Sequence, residues 1–431
     1  MSNGPNRGRL AILVGGGPAP GINGVISAAT IEGINQGYKV VGVRDGYKYL
    51  AQGNIDQTIR LTINGVKGIH LLGGSVLGTS RTNPTKSEDS MKNVLNALEE
   101  LGVTALVSIG GDDTAFSASR VWQAAKGAIR VAHVPKTIDN DLPLPGSTPT
   151  FGFETARHHG VFLLRNLTED ARTTSRWYVI ISMGRTAGHL ALGIGKAAAA
   201  TLTIIPEQFR GKQVTINEIC DLIIGSIIKR QAEGTCYGIV VLAEGLIEAM
   251  GKEELLAAMD NRPERYGNVA RDDHGHLRLG EIEFGRLMKD LLSARLEKLG
   301  LKMTLLDKDL GYELRCADPI PFDAEYTRDL GYAAVKFLLS DNAAKYGAVV
   351  SFSDGRMVPL PFDQMLNPQT GRMTVRKVNV DGEPYECACH YMIKLEKTDF
   401  EDPAQLEKMA AIVKMTPAQF RERFGYLAGI K

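Results

Sequence analysis

Ile109-Gly110-Gly111-Asp112-Asp113-Thr114 and Pro135-Lys136-Thr137-Ile138-Asp139-Asn140-Asp141 begin and end one stretch, 109–142, whose reading decides the fold. Thr104–Ile109 is an apolar run with β-branched residues, so it reads as a buried strand. Gly110-Gly111 turns it into a helix over Thr114–Lys126. Ile129–Val134 is the next strand, ended by Pro135, and Pro143 and Pro145 bar a helix beyond it. A strand, a helix and a second strand at this spacing form a βαβ unit with parallel strands. Four carboxylates and one lysine lie on its strand-end loops, where open α/β sheets bind ligands.

The pattern extends in both directions. Leu10–Val14 predicts a strand, followed by Gly15-Gly16-Gly17-Pro18-Ala19-Pro20-Gly21, a helix over Ile22–Gln36 and a strand over Lys39–Val43. A glycine turn at a helix N-terminus suits phosphate. It is not a Walker A loop, since no Gly-Lys-Ser/Thr follows. It also departs from the dinucleotide fingerprint, with Pro20 where the third glycine should fall. Asp45 imitates the ribose-binding acid and keeps a dehydrogenase as an alternative. Ile69–Gly74 reads as another strand and turn, Leu77–Pro84 as a polar loop carrying Arg81, and Ser87–Glu100 as a helix. An extended chain after Pro135 would place Thr137, Asp139 and Asp141 on one side and Lys136 on the other. Three oxygen-bearing side chains on one face suit a hydroxyl or a metal, while Asx-turn chemistry is the plainer alternative.

The second half repeats the α/β pattern. Helices are expected at Phe153–Thr168, Ala187–Ala199 and Val214–Arg230, and strands at Trp177–Ser182, Thr201–Ile205 and Tyr237–Leu242. Met183-Gly184-Arg185 and Ala243-Glu244-Gly245 form polar strand ends. Residues 250–310 are more helical and charged, with a loop at Asn261–Leu279. A helix at Ala324–Leu339 and a strand at Gly347–Ser351 follow. Met373–Val380 and Glu383–Met392 read as a hairpin about Asp381-Gly382, and Pro403–Lys414 and Pro417–Phe424 as short helices. Cys387, Cys389 and His390 would then lie in a strand, with zinc as a minor alternative.

With 431 residues the chain exceeds one core, which rarely grows past about 250–300 residues. The 44% hydrophobic and 23% charged residues with a net charge of +1 describe a soluble globular protein and give no reason to expect nucleic acid or a membrane as partner. The longest uncharged apolar runs fall far short of the roughly 20 residues of a span. Five scattered cysteines make no disulfide framework. A cytoplasmic location fits.

Three glycine turns after strands, a basic loop, paired acids at Asp112-Asp113 and acids with a lysine at 136–141 are what phosphoryl transfer requires. Backbone N–H groups cradle phosphate, a carboxylate holds Mg²⁺, cations neutralise charge and a base takes the proton of the attacking hydroxyl. Helix capping alone would account for one of Asp112, Asp113 and Thr114.

Gly16–Asn23, the Gly-Gly-Asp-Asp-Thr run from Gly110, Pro135–Asp141 and Met183-Gly184-Arg185, in this order, resemble the phosphofructokinase family, and in detail its pyrophosphate-dependent members. The resemblance covers about residues 8–365. It implies two Rossmann-like three-layer α/β/α domains with the active site in the cleft between them, plus a C-terminal α+β appendix. Residues 1–150 and about 323–366 would form the donor domain and 151–322 the sugar-phosphate domain, with a helical insertion around 250–310. Residues 367–431 would be the hairpin and helical appendix.

The same resemblance implies roles. Asp139 corresponds to the base that deprotonates the 1-hydroxyl of fructose 6-phosphate, and Asp112 to the Mg²⁺ carboxylate. Gly16 or Gly17 would contact the phosphoryl donor, and Arg81 would lie along the transferring group. Thr137 and Asp141 would flank the sugar hydroxyl. Met183, Gly184, Arg185 and Glu244 would line the sugar site, with Tyr312 and Arg315 at the sugar phosphate. Arg176 matches an arginine that reaches a neighbouring subunit, which implies a homodimer or homotetramer. Asp113 stands where ATP-dependent members usually carry glycine. A carboxylate there would crowd and repel the α-phosphate of a nucleotide, while pyrophosphate ends short of it. Lys136 would stabilise the leaving phosphate. Ser27 and Ile31 replace arginines that hold an allosteric nucleotide in bacterial relatives, so no such regulation is expected. An ATP-dependent enzyme of the same fold and a non-catalytic sugar-phosphate sensor are the alternatives.

Overall fold

In a computed structural model the strands are β1 Arg9–Val14, β2 Lys39–Val43, β3 Thr58–Arg60, β4 Val103–Gly110, β5 Arg130–Pro135, β6 Arg176–Ser182, β7 Leu202–Ile204, β8 Gly238–Ala243, β9 Thr304–Leu310, β10 Ala348–Ser353 and β11 Arg356–Pro361. The structure describes residues 7–146, 148–260, 262–267, 282–367 and 374–430. The chain divides into two units, Met1–His159 with Tyr312–Arg376, and Gly160–Gly311 with Lys377–Lys431.

The first unit is built on a seven-stranded sheet in the order β11-β10-β5-β4-β1-β2-β3. Its interior pairs are parallel, while β2–β3 and β10–β11 are antiparallel edges. β1 reads as an unbroken apolar run because both faces are covered. Leu10, Ile12 and Val14 join a core with Ile22, Val25 and Leu330, while Ala11 and Leu13 point into a second core with Leu98 and Val121. Helices Ile22–Asn35 and Pro321–Leu339 pack on the first face. Their close approach needs Gly331, where a Cβ would lie 2.6 Å from the Val25 carbonyl oxygen. Helices Glu88–Glu100 and Asp112–Ala124 cover the other face. The parallel register aligns Val14 with Ile109, Ile109 with Val134 and Gly110 with Pro135. Three carboxyl ends, with their polar loops, therefore emerge side by side.

The second unit carries a parallel four-stranded sheet, β7-β8-β6-β9. Its helix Ile216–Ala232 is buried along most of its length. Phe400, Leu406, Met409, Phe420 and Phe424 from the C-terminal stretch belong to the same core. Asp221 on that helix accepts two hydrogen bonds from Arg423, each 2.7 Å, and one of 2.7 Å from the Tyr426 hydroxyl.

Several sequence readings need correction. The hairpin about Asp381-Gly382 does not form, because Glu383–Tyr391 is a helix entered through Gly382, with Pro384 in its first turn. Cys387, Cys389 and His390 therefore lie on a helix. Residues 374–379 form no strand: the Arg376 amide donates to the Asp141 carbonyl and the Val378 amide to Glu207. Residue 373 lies outside the described residues. Ile69–Gly74 is also not a strand. Ile69–Leu71 is a 3₁₀ turn, and the Asn23 side-chain amide donates to the Leu72 and Gly73 carbonyls that follow it. Helix Asp112–Ala124 starts two residues earlier than expected, and strands β3, β9 and β11 were not foreseen. In the loop expected at Asn261–Leu279, residues 261 and 268–279 lie outside the described residues. Among the described residues, no helix is long and apolar enough to cross a membrane.

Candidate active site

At the end of β1, the Gly15 amide donates to the Ile109 carbonyl over 2.9 Å and the Gly16 amide to the Ser80 carbonyl over 2.8 Å. The Thr79 hydroxyl closes the turn by donating to the Gly16 carbonyl, 2.6 Å. These bonds hold the 78–81 loop along the glycine turn, which carries the exposed Arg81 to it. Gly15 and Gly110 both answer to Thr114. A Cβ at Gly15 would lie 2.5 Å from the Thr114 hydroxyl, and one at Gly110 would lie 2.4 Å from the Thr114 Cβ. Packing alone therefore accounts for these two glycines. Gly16 has φ +82°, a conformation that a side chain would strain.

Asp112 and Asp113 occupy the first turn of their helix, and the residue before it, Gly111, offers no side-chain cap. Neither acid therefore holds the cap position itself. The positive end of the helix dipole favours their charge. Asp113 is exposed and Asp112 is half-buried. Beneath the turn, buried His133 places Nε2 3.0 Å from the Gly110 carbonyl oxygen and Nδ1 3.3 Å from the Ser108 hydroxyl. Burial pushes its pKa down to about 3, so the ring is neutral. The carbonyl can only accept, which assigns the proton to Nε2. The Lys136 amide donates to the same carbonyl, 2.8 Å.

Lys136 is buried, and its ammonium donates to the Gly17 carbonyl over 2.5 Å. Burial lowers its pKa to about 8, with Asp139 opposing the shift and Arg315 adding to it. The loop that follows is not extended. The Asp139 amide donates to the Thr137 hydroxyl over 3.0 Å, and Asn140 sits at φ +56°. The turn brings Lys136 into the field of Asp139, Asp112 and Asp141, contrary to the strict alternation expected from an extended strand. Thr150 ties the loop down, its hydroxyl donating to the Thr137 carbonyl and its amide to the Asn140 side chain. Asp139 and Asp141 are both buried. Burial, then the charges of Asp139 and Asp112, lifts the Asp141 carboxyl to about 6. Arg315, expected at the sugar phosphate, lies beside Gly17, its guanidinium carbon 3.5 Å from where a Cβ would stand. It also stacks 5.2 Å from the ring centre of exposed Tyr312.

Among the described residues, no three His, Cys, Asp or Glu side chains group into a protein-only metal cage. Mg²⁺ does not need one. It is commonly held by one or two carboxylates, with phosphate oxygens and water completing the shell. Asp112, within electrostatic reach of Asp141 beside a glycine turn, offers hard oxygen of that kind and fits the ion.

In the second unit, β6, β8 and β9 end in register at Ser182, Ala243 and Leu310. The Glu244 carboxylate accepts the Gly184 amide over 3.0 Å, which joins two of the expected sugar-site segments. Met183 packs against Gly311, and its amide donates to the Leu310 carbonyl. Arg185 is exposed beside them. Arg176 opens β6 at the opposite end of the strand, in a 3.9 Å ion pair with Asp170, so this chain does not group it with Met183–Arg185. Sequence reasoning missed His133 and Arg376, and gave Thr114 no part in packing the glycine turns. A lone histidine in an apolar strand was the one visible signal, for His133.

Acids, a buried lysine and backbone donors gathered on strand ends are the equipment of a phosphoryl-transfer enzyme. The chain belongs to the phosphofructokinase family, whose model, described as Phosphofructokinase, matches residues 9–338. It is 52% identical over 416 residues to a pyrophosphate–fructose 6-phosphate 1-phosphotransferase of Thermotoga maritima, covering 96% of this chain and 98% of the relative. It is 48% identical to a protein of the same name from Naegleria fowleri, covering 97% and 95%. Among solved structures, a phosphofructokinase from Saccharomyces cerevisiae shares the fold with a TM-score of 0.65 at 19% identity. That match covers 97% of this chain and 49% of the yeast chain, so this chain spans about half its length.

Proposed function

We propose that this protein transfers a phosphoryl group reversibly between pyrophosphate and the 1-hydroxyl of fructose 6-phosphate, giving fructose 1,6-bisphosphate and phosphate. Asp113 carries the choice of donor. Its carboxylate stands in the first turn of the helix after the donor-side glycines, and the family resemblance implies that a nucleotide's α-phosphate would fall there. The names of the two near-full-length relatives support the same donor.

The first unit would handle the donor and the second the sugar phosphate. Asp139 takes the proton of the 1-hydroxyl as its oxygen bonds to phosphorus and the bridging P–O bond of pyrophosphate breaks. Lys136, Arg81 and the amides of Gly16 and Gly17 take up charge on the transferring and leaving groups. With a pKa of about 8, Lys136 remains largely cationic at neutral pH. Thr137 and Asp141 orient the hydroxyl, while Met183, Gly184, Arg185 and Glu244 bind the sugar. Tyr312 and Arg315 supply a ring and a cation toward phosphate. Asp112 would hold Mg²⁺, which supplies charge neutralisation on the phosphates. Arg176 would serve a neighbouring copy in a homodimer or homotetramer, working in the cytoplasm.

Turnover measured with each donor at saturating fructose 6-phosphate and Mg²⁺ tests the proposal. Robust activity with pyrophosphate and little with ATP is expected. The reverse pattern would establish the ATP-dependent enzyme instead, and sugar-phosphate binding without turnover would establish a sensor.

A further inference from the structure

Arg376 lies beyond the family match, in a stretch without regular structure, yet it is bound to the loop that carries Asp139. Its Nε donates to the Asn140 carbonyl over 3.1 Å and its Nη1 to the Thr148 carbonyl over 2.9 Å. Its Nη2 donates to the Asn140 side-chain oxygen, and its amide donates to the Asp141 carbonyl over 2.6 Å. Asn140 is the residue at positive φ between the two acids. An asparagine tolerates that conformation only at some cost, and it persists where the surroundings over-determine it.

We propose that Arg376 is a positioning residue for phosphoryl transfer, its guanidinium fork locking the 137–150 loop so that Asp139 meets the hydroxyl it deprotonates. The geometry suits arginine in particular. Three acceptors on one loop are met by a planar fork, whereas a lysine ammonium is a single point of charge that cannot span them. Among the described residues between the Lys136–Phe151 bridge at its two ends, the loop joins no sheet, so the side chain does the work of a sheet neighbour. The proposal rests on Asp139 being the base.

Arg376→Ala and Arg376→Lys, compared with the parent and with Asp139→Asn, test it. A misplacement of about 1 Å at a reacting group costs on the order of 100-fold in rate. Arg376→Ala should therefore lose roughly that much in kcat, with KM for both substrates changed by less than about threefold. Millimolar guanidinium should restore several-fold of the loss and leave the parent unaffected. Arg376→Lys should remain at least about tenfold impaired despite its charge. A kcat within threefold of the parent for either variant overturns the proposal, as does a loss that follows KM or that guanidinium does not relieve. If Arg376→Ala does not fold, the lysine variant, close in size, decides by the same criteria. Near-normal turnover in Asp139→Asn would instead remove Asp139 as the base, a failure distinguishable from that of Arg376.

Discussion

Asp113 and Asp141 are acids of opposite circumstance, one exposed and one buried. Exposure screens the charge of Asp113, so the exclusion of a nucleotide proposed for it would be as much steric as electrostatic. Asp113→Gly should raise kcat/KM for ATP at least about tenfold, equivalent to roughly 1.4 kcal/mol, and change that for pyrophosphate much less. An unchanged ATP value would shift donor exclusion to Lys136 or to the space beyond it. Asp141 bears a cost inside the fold. Its carboxyl is lifted from 3.8 to about 6, so the folded protein holds that proton more tightly than the unfolded chain does. The penalty for its ionisation is absent below about pH 4, grows toward pH 6 and is complete above it. Asp141→Asn should then be more stable than the parent at pH 7–8, by an amount on the order of 2 kcal/mol, and lose that advantage near pH 4. Thermal melts in chelator at the two pH values check this. A gain of equal size at both would point to packing rather than charge.

In the first unit the candidate site is built from β1, β4, β5 and the turns at their carboxyl ends, and Thr114 packs between the glycines that follow β1 and β4. Gly15→Ala should destabilise by about 1–3 kcal/mol, because the new methyl meets the Thr114 hydroxyl and methyl. Thr114→Ala should recover much of that loss. The same second change should not rescue Gly110→Ala, whose methyl meets the Thr114 Cβ itself. Denaturant melts of the single and double variants distinguish these outcomes. The elements also show how far sequence reasoning reaches. Buried parallel strands such as β1 and β4 are legible because burial on both faces forces an unbroken apolar run. The glycine turns that follow them are legible for the same reason. The edge strands β3 and β11 and the polar β9 carry no such signal, and tertiary pairing decides them. The helix at Glu383–Tyr391 was marked by Pro384 and the acids of its first turn, cues outweighed by Asp381-Gly382. Within the site, the motif residues were visible because they fall on strand ends. His133 and Arg376 were not, since one is hidden in a strand and the other arrives from 236 positions beyond Asn140.

At the scale of the whole molecule, neither unit is built from one continuous stretch. The second depends on its C-terminal stretch for core residues as large as Phe400, Phe420 and Phe424. Asp221, almost fully buried, anchors that stretch through Arg423 and Tyr426. Arg423→Ala leaves this carboxylate with the tyrosine hydroxyl and the Arg295 guanidinium 4.0 Å away, and should cost about 1–3 kcal/mol. The loss should appear as faster amide exchange across 395–426 before the first unit responds, and simultaneous loosening of both units would deny them separate stability. The interleaving also has a consequence for synthesis. A nascent chain displays Leu10, Ile12 and Val25 long before Leu330 and Phe337 emerge to cover them. The second core likewise lacks Phe400, Phe420 and Phe424 until synthesis is nearly finished. Growing chains of this protein therefore carry two unfinished cores at once. Ribosome-bound chains stalled before residue 321 should be digested readily by protease and held by chaperones, where a protein of two successive domains would already shelter one.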